Sequence, residues 1–290
     1  MEKCTYGQLN EFIVQNSIIV PEQFGFCKGH STELALLHAK ETILSNFKQG
    51  NLIAGIFLDF RKAFDSISHD ILISKFEYYG VRGKALDVLS SYLKERSQYV
   101  QLNNVTSFDG AIKYGVPQGS VLGPLCFLVY INDIINTCLY AKFLMFADDT
   151  NVFICGKSIQ LIQHDVNVLT NNLCEWTEIN HLQLNSSKTK AVIFKPTNRA
   201  VNGMLQVKFK NDVIDIVDSI KFLGVIFHSN LLCDRHIDSV VLKLRRTIGV
   251  LSCVNGCLTT KAKHQVYMSL FFSYVFWCMV PLQKHLLCLL

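Results

Sequence analysis

Apolar positions change their period several times along the chain, and each change marks a predicted element. Leu9, Phe12 and Ile13 recur at helical spacing within residues 6–16, and Pro21 closes the connection that follows. Ser31 or Thr32 is suited to cap a second helix that runs to about Phe47. Residues 52–58 are an almost unbroken apolar run, the pattern of a strand buried on both faces, and the run stops at Asp59. Ser68-His69-Asp70 opens a helix with Leu72, Phe76 and Tyr79 on one side, and Gly80 ends it. Residues 83–95 are amphipathic, and 97–114 alternate like a hairpin about Asn103-Asn104. Further along come apolar helices at about 125–135 and 160–180, strands at 191–194, 207–209, 214–217 and 222–227, and a basic helix from Asp234. Gly224, inside the 222–227 run, would permit close approach of something bulky.

Residues 143–154 break the pattern differently, because two short apolar runs of strand composition flank Ala147-Asp148-Asp149-Thr150. A break this short predicts a tight hairpin with the acids at its tip. Adjacent carboxylates beside a buried sheet repel one another and are poorly solvated, so they either take up protons or are neutralised by a cation. Oxygen-only ligands suit Mg²⁺, which takes one or two protein carboxylates and fills its other positions with water and substrate phosphates. An acidic turn is the plain alternative, Asp being a common turn residue. Asp59 is a second carboxylate at a strand end.

Two Gly-punctuated stretches invite the same double reading. Residues 23–32, Gln-Phe-Gly-Phe-Cys-Lys-Gly-His-Ser-Thr, form a loop that could cradle phosphates or merely connect two helices. Residues 115–124 pack three glycines and two prolines ahead of an apolar helix, and backbone amides at such a start can face an anion or a nucleobase. Lys188 precedes a strand, where it can reach a phosphate or stay solvated. Lys243, Arg245 and Arg246 form a basic stripe that could track a duplex backbone or simply be wet.

Composition narrows the field only a little. Half of the 290 residues are apolar, enough for a large core, and Lys plus Arg exceed Asp plus Glu by 28 to 23. Eleven cysteines at scattered spacings point to free thiols in a reducing compartment rather than a disulfide framework. Cys253, Cys257 and His264 lack a second matching pair, so structural thiols are expected there rather than a zinc site. No secretion signal or nuclear-import cluster is apparent. Residues 265–282 are an uncharged run of 18, near the minimum for a membrane span, but Gln265, Tyr267, Tyr274 and Pro281 within it favour a helix packed on protein.

The order of these pieces is more specific than any one of them. QFGFCKGHST, FLDFRKAFDSISHDIL, GVPQGSVLGPLCFLVYINDI, FADDTN, LQLNSSKTKAVIF and FLGVIF, taken in sequence, resemble the reverse transcriptases of non-LTR (LINE-type) retrotransposons. The likeness is greatest to the jockey-like elements of insects and other invertebrates, and it runs from about Gln8 to Tyr274. It implies an α+β, right-hand polymerase fold with an antiparallel palm sheet and helices. Partial fingers would occupy 1–50, a palm 51–230 with an inserted fingers hairpin at about 83–114, and a truncated helical thumb 231–290.

The same resemblance implies an RNA-directed DNA polymerase working by two-metal nucleotidyl transfer. Asp59, Asp148 and Asp149 would be the catalytic carboxylates and the ligands of two Mg²⁺ ions, with Mn²⁺ as an alternative. Phe64 would lie under the sugar of the incoming nucleotide and exclude a 2′-hydroxyl, unless it only fills the core. Gln118 and Gly119 would meet the nucleotide or template, and Lys188 the triphosphate. A hairpin at 222–227, through Phe222, Leu223 and Gly224, would grip the primer, with Lys243, Arg245 and Arg246 on the template–primer duplex. The implied partners are an RNA template, a DNA primer and dNTPs, with no stable membrane partner, in an intracellular setting that is not resolved between nucleus and cytoplasm.

Departures from the family pattern carry expectations of their own. Cys27 stands where relatives carry Arg, and Phe146 where many carry Tyr. An upstream fingers segment with an Arg-Pro-Ile type motif and an N-terminal endonuclease are missing, and residues 278–290 lose the thumb pattern. A truncated copy is therefore expected, weak or inactive by itself, with an inactive nucleic-acid-binding remnant as the alternative.

Overall fold

The computed structural model of the chain describes residues 2–94, 96–254 and 256–275. The irregular end expected over 278–290, and the last part of the uncharged 265–282 run, lie outside them.

Helices α1 (Glu2–Gln15) and α2 (Thr32–Lys48) precede the first strand, β1 (Leu52–Leu58). The Ser31 side chain accepts a hydrogen bond from the Leu34 amide, so Ser31 rather than Thr32 caps α2. All seven residues of β1 are buried, as its unbroken apolar run requires. Helices α3 (His69–Tyr78) and α4 (Lys84–Leu93) follow, then the short strands β2 (Arg96–Gln98), β3 (Gln101–Leu102), β4 (Val105–Thr106) and β5 (Gly110–Ile112). Asn103 and Asn104 both take positive φ between β3 and β4, so the expected Asn-Asn turn is a type I′ connection.

Helix α5 (Gly123–Ile131) leads into β6 (Lys142–Phe146), β7 (Asp149–Gly156), α6 (Ile159–Ile179) and β8 (Lys190–Phe194). Strands β9 (Val207–Phe209), β10 (Asp212–Ile216), β11 (Ser219–Phe222) and β12 (Val225–His228) come next, then helices α7 (Asp234–Val254) and α8 (Thr260–Val266). The main sheet runs β6-β7-β1-β8-β10-β9. It is antiparallel as expected except for one pair, β8 with β10, which runs parallel. That parallel contact is only two residues long and carries the Lys190–Asp215 ion pair at 2.7 Å.

Period-two alternation divides the core between the two faces of β1. Ala54, Ile56 and Leu58 join α1, α3, α4, α5 and α6 on one side, whereas Ile53 and Phe57 join α2, Phe24 and the β11–β12 hairpin on the other. Gly55 is required between them, since a Cβ there would come 2.6 Å from the Phe194 ring. Helix α5 is apolar all round and buried along nearly its whole length, and burial pushes the Cys126 thiol up to about 12. Among the described residues no helix is long and apolar enough to cross a membrane.

The 222–227 segment, a single strand by its local pattern and a hairpin by the resemblance, is a hairpin. Phe222 pairs with Val225, and Leu223 and Gly224 form the turn with φ of 44° and 87°. Two consecutive positive φ values define a type I′ turn, so Gly224 serves the turn; no atom lies within 4 Å of where its Cβ would be.

Candidate active site

The last pair of the β6–β7 ladder is Phe146 with Asp149, so the break at the tip shrinks to two residues, Ala147 and Asp148. Asp149 is the first residue of β7 rather than part of the turn. Strand β7 also pairs with β1, ending at Leu58 opposite Thr150, and one further step along both strands brings Asp59 level with Asp149. Three carboxylates from two neighbouring strands therefore gather at one end of the sheet. Desolvation, then Asp148, then Asp59 push the Asp149 acid up to about 6. Asp149 remains exposed, so water screens part of this repulsion.

Segments distant in sequence hold the backbone of Asp59 and of the residues that lead into Asp148. The Asp59 amide donates to Thr189 Oγ1 at 3.2 Å, and the Asp59 carbonyl accepts from the Asn185 amide at 2.7 Å. Lys188 is exposed on this same 185–189 loop, beside the buried Thr189. On the other side, the 22–25 segment lies along β6: the Phe24 amide donates to the Met145 carbonyl, and the Met145 amide to the Glu22 carbonyl. The buried Gln23 takes the Ala147 amide on its side-chain oxygen. Residues 23–25 are thus spent on backing the acidic turn, although Lys28 and Gly29 beyond them stay exposed.

Phe64 sits in a short 3-10 turn, Ala63–Asp65, four residues downstream of the Phe60 that follows Asp59. It is half-buried and stacks on Phe127 of α5, with ring centroids 4.4 Å apart at 21°. The 115–118 stretch zips along this turn: the Val116 amide donates to the Phe64 carbonyl, Gln118 Nε2 to Asp65 Oδ1 at 3.0 Å, and Gly115 O pairs with His69 Nε2. A Cβ on Gly115 would meet the Asp65 Cα at 2.8 Å, and its φ of 86° is a second reason for glycine. Phe64, Gln118 and Gly119 are therefore neighbours, and Gly119 is open on its Cβ side.

The structure bears on two further readings. The amides at the start of α5 do not await an external anion, because Glu2 Oε1 accepts from the Val121 and Leu122 amides at 2.9 and 3.1 Å. Those bonds, the Leu122 one foremost, hold the Glu2 acid below the ordinary carboxylate range. Phe222 is only 4% exposed and packs on Phe57, so the core takes its ring and a primer could meet only the hairpin tip, Leu223 and Gly224. On α7 Lys243 lies over the Tyr274 ring, whereas Arg245 and Arg246 are exposed. Sequence reasoning missed Thr189 and the backing role of Gln23 and Gly25; a buried threonine after a polar loop and a Gln-X-Gly before a helix are faint signals.

The hard oxygen donors at the sheet end suit a divalent ion of the Mg²⁺ type, and the crowded negative charge is what such an ion would relieve. Among the described residues no group of three or more His, Cys, Asp or Glu is placed so that all of them could hold one metal ion. The donor set fits an ion that takes one or two carboxylates and completes its shell with water and phosphate.

A mixed α/β chain with this sheet, helices on both faces and acids at the ends of β1 and β7 defines a right-hand polymerase of the reverse transcriptase class. Residues 1–227 match the family model "Reverse transcriptase (RNA-dependent DNA polymerase)", and the chain belongs to that family. Its relatives include mobile elements of Drosophila melanogaster, as the jockey-like motifs led one to expect. It is 27% identical over 284 residues to a probable RNA-directed DNA polymerase from transposon BS, covering 92% of this chain and 30% of that protein. The probable RNA-directed DNA polymerase from transposon X-element is 30% identical over 252 residues, covering 82% and 26%. The RNA-directed DNA polymerase from mobile element jockey is 26% identical over 290 residues, covering 93% and 31%. The chain thus spans under a third of these curated relatives. In fold it is similar to apo telomerase from Candida tropicalis truncated from its C-terminal domain, with a TM-score of 0.56 at 12% identity over 80% of this chain and 45% of that one. Reverse transcriptases generally depend on a divalent metal.

Proposed function

We propose that this chain is the polymerising core of a non-LTR retrotransposon's RNA-directed DNA polymerase, copying an RNA template by adding dNTPs to a DNA primer. The observation that carries the reading is the convergence of Asp59, Asp148 and Asp149 at one sheet end, marked by the upward pull of its neighbours on the Asp149 acid. Asp59 and Asp148, completed by Asp149, would hold two Mg²⁺ ions, with Mn²⁺ as a substitute. Such ions, when bound, lower the pKa of the primer 3′-hydroxyl and neutralise charge on the leaving pyrophosphate.

The chain's own part is positioning. The 3′-oxygen attacks the α-phosphorus, a new P–O bond forms, and pyrophosphate departs as the old one breaks. Phe64, braced on Phe127, would support the sugar of the incoming nucleotide, with Gln118 and Gly119 beside it and Lys188 at the triphosphate. Leu223 and Gly224 at the hairpin tip would meet the primer, and Lys243, Arg245 and Arg246 of α7 the duplex backbone. In this reading residues 1–50 are fingers, 51–230 palm with an inserted fingers hairpin, and the helices from 231 thumb. Nine described cysteines, all free, suit an intracellular setting.

Primer extension on an RNA template with Mg²⁺ and dNTPs tests the reading, with Asp148→Asn as control. Extension by the wild type that the variant loses supports it. Template–primer binding without extension would favour the inactive remnant and overturn polymerase function for this chain.

A further inference from the structure

Gln23 takes no part in the chemistry proposed above, yet its side chain reaches the acidic turn from 124 positions away in sequence. Its Oε1 accepts two backbone N–H groups, from Gly25 at 2.8 Å and from Ala147 at 3.0 Å. Two donors converging on one atom identify that atom as the amide oxygen. The residue is 1% exposed, and its Nε2 has no hydrogen-bond partner among the described residues, so the side chain acts through its oxygen alone.

Ala147 is the residue that most needs such a tie. It opens a two-residue turn with φ of 56°, a conformation disfavoured for a residue with a Cβ, and its amide faces away from the β6–β7 ladder. Gly25 presses on the same point from the same segment: a Cβ there would stand 2.2 Å from the Ala147 nitrogen and 2.9 Å from the Phe146 carbonyl carbon. The neighbouring Phe24–Met145 and Met145–Glu22 bonds fix this contact in register along β6.

We infer that Gln23, seated by Gly25, is a positioning residue that locks the Ala147-Asp148 turn and so fixes where the Asp148 carboxylate stands for a divalent cation. The inference rests on the polymerase reading for its purpose, but its geometry can be tested without turnover. Gln23→Met keeps the length and apolar body of the side chain and removes the acceptor. Gln23→Glu keeps an oxygen in the same position. Gly25→Ala leaves Gln23 in place and displaces the turn sterically.

Hydrogen exchange of the full chain, read by mass spectrometry on peptides spanning residues 143–150, reports the Ala147 amide. Mn²⁺ binding followed by electron paramagnetic resonance reports the carboxylates. Gln23→Met is expected to speed exchange in that peptide alone and to weaken Mn²⁺ binding about tenfold, the scale of one lost hydrogen bond at an ordered group. Gln23→Glu should stay within about threefold of wild type, and Gly25→Ala should follow Gln23→Met. Wild-type Mn²⁺ affinity in Gln23→Met, exchange that rises equally throughout the chain, or a Gln23→Glu as weak as Gln23→Met would each overturn the inference. These variant-to-wild-type differences in exchange and binding, with a wild type that extends no primer, would sink the polymerase reading and leave the positioning role standing.

Discussion

Replacing Thr189 by valine is a sharp test of how Asp59 is held, because the two side chains have the same shape and differ by one acceptor. Thr189 is fully buried, and its Oγ1 takes the Asp59 amide at 3.2 Å. Valine leaves that amide without a partner, at a cost of about 1–3 kcal/mol for a buried donor. Asp59 is half-buried, so water recovers part of the loss and the low end, about 1 kcal/mol, is expected. For a chain of this size that lowers the melting temperature by roughly 2–4 °C. Activity should fall further than stability, since a displacement of about 1 Å at the reacting groups can cost on the order of a hundredfold. The expected result is a tenfold to hundredfold drop in kcat with the KM for dNTP little changed, on the order of that same positional penalty. Thr189→Ser retains the oxygen and should recover most of the rate. Thermal melts and steady-state primer extension on the three proteins make the comparison. If Thr189→Val melts and polymerises like wild type, or Thr189→Ser falls as far, the hydrogen bond does not hold Asp59.

Two further outcomes follow from the site. Phe64→Val removes the ring stacked on Phe127 and should admit ribonucleotides in primer extension while costing on the order of 1–2 kcal/mol in urea melts; an active variant that still refuses them would make Phe64 a core residue only. The Asp149 acid, raised to about 6, keeps its proton in the folded state after the unfolded chain has lost it near pH 4, so without metal its contribution to stability is full below about pH 4 and lost as pH rises through 6. Asp149→Asn should flatten that stretch of the stability–pH curve in urea titrations, and an unchanged curve would remove the repulsion argument.

What could be read in the sequence was what short-range physics determines. The unbroken run at 52–58 read as a strand buried on both faces, and Ser31, Gly80 and Asn103-Asn104 marked a cap, a helix end and a turn through chemistry that acts within a few residues. Readings stayed open where local patterns were equivalent. A hairpin with a two-residue turn and a six-residue strand both read as Phe-Leu-Gly-Val-Ile-Phe, and only the paired positive φ values of Leu223 and Gly224 separate them. The helix start at 121–123 carried the right amides for an anion, but its partner, Glu2, lies 119 residues away. The Gln-Phe-Gly stretch stayed open between a phosphate loop and a connector because glycine permits close approach without saying to what; here the approaching group is the Ala147 backbone.

The same division accounts for how the acids are kept together. Their carboxylates repel, so no local preference would gather them; what does is a set of backbone ties from segments that meet only in the folded chain. The 185–189 loop holds Asp59, the 22–25 segment holds the Ala147-Asp148 turn, and the 115–118 stretch holds the Phe64 turn. The ties to Asp59, Ala147 and Phe64 are all to main-chain atoms, and among the described residues no hydrogen bond to the Asp59, Asp148 or Asp149 carboxylate competes with a cation. A salt bridge from lysine would have quieted the repulsion more directly, as Lys190 does for Asp215 at the sheet's far pair, but it would also have occupied the oxygens. Holding like charges by their backbones costs stability and keeps the carboxylate oxygens available, which is the arrangement that metal-assisted phosphoryl transfer requires.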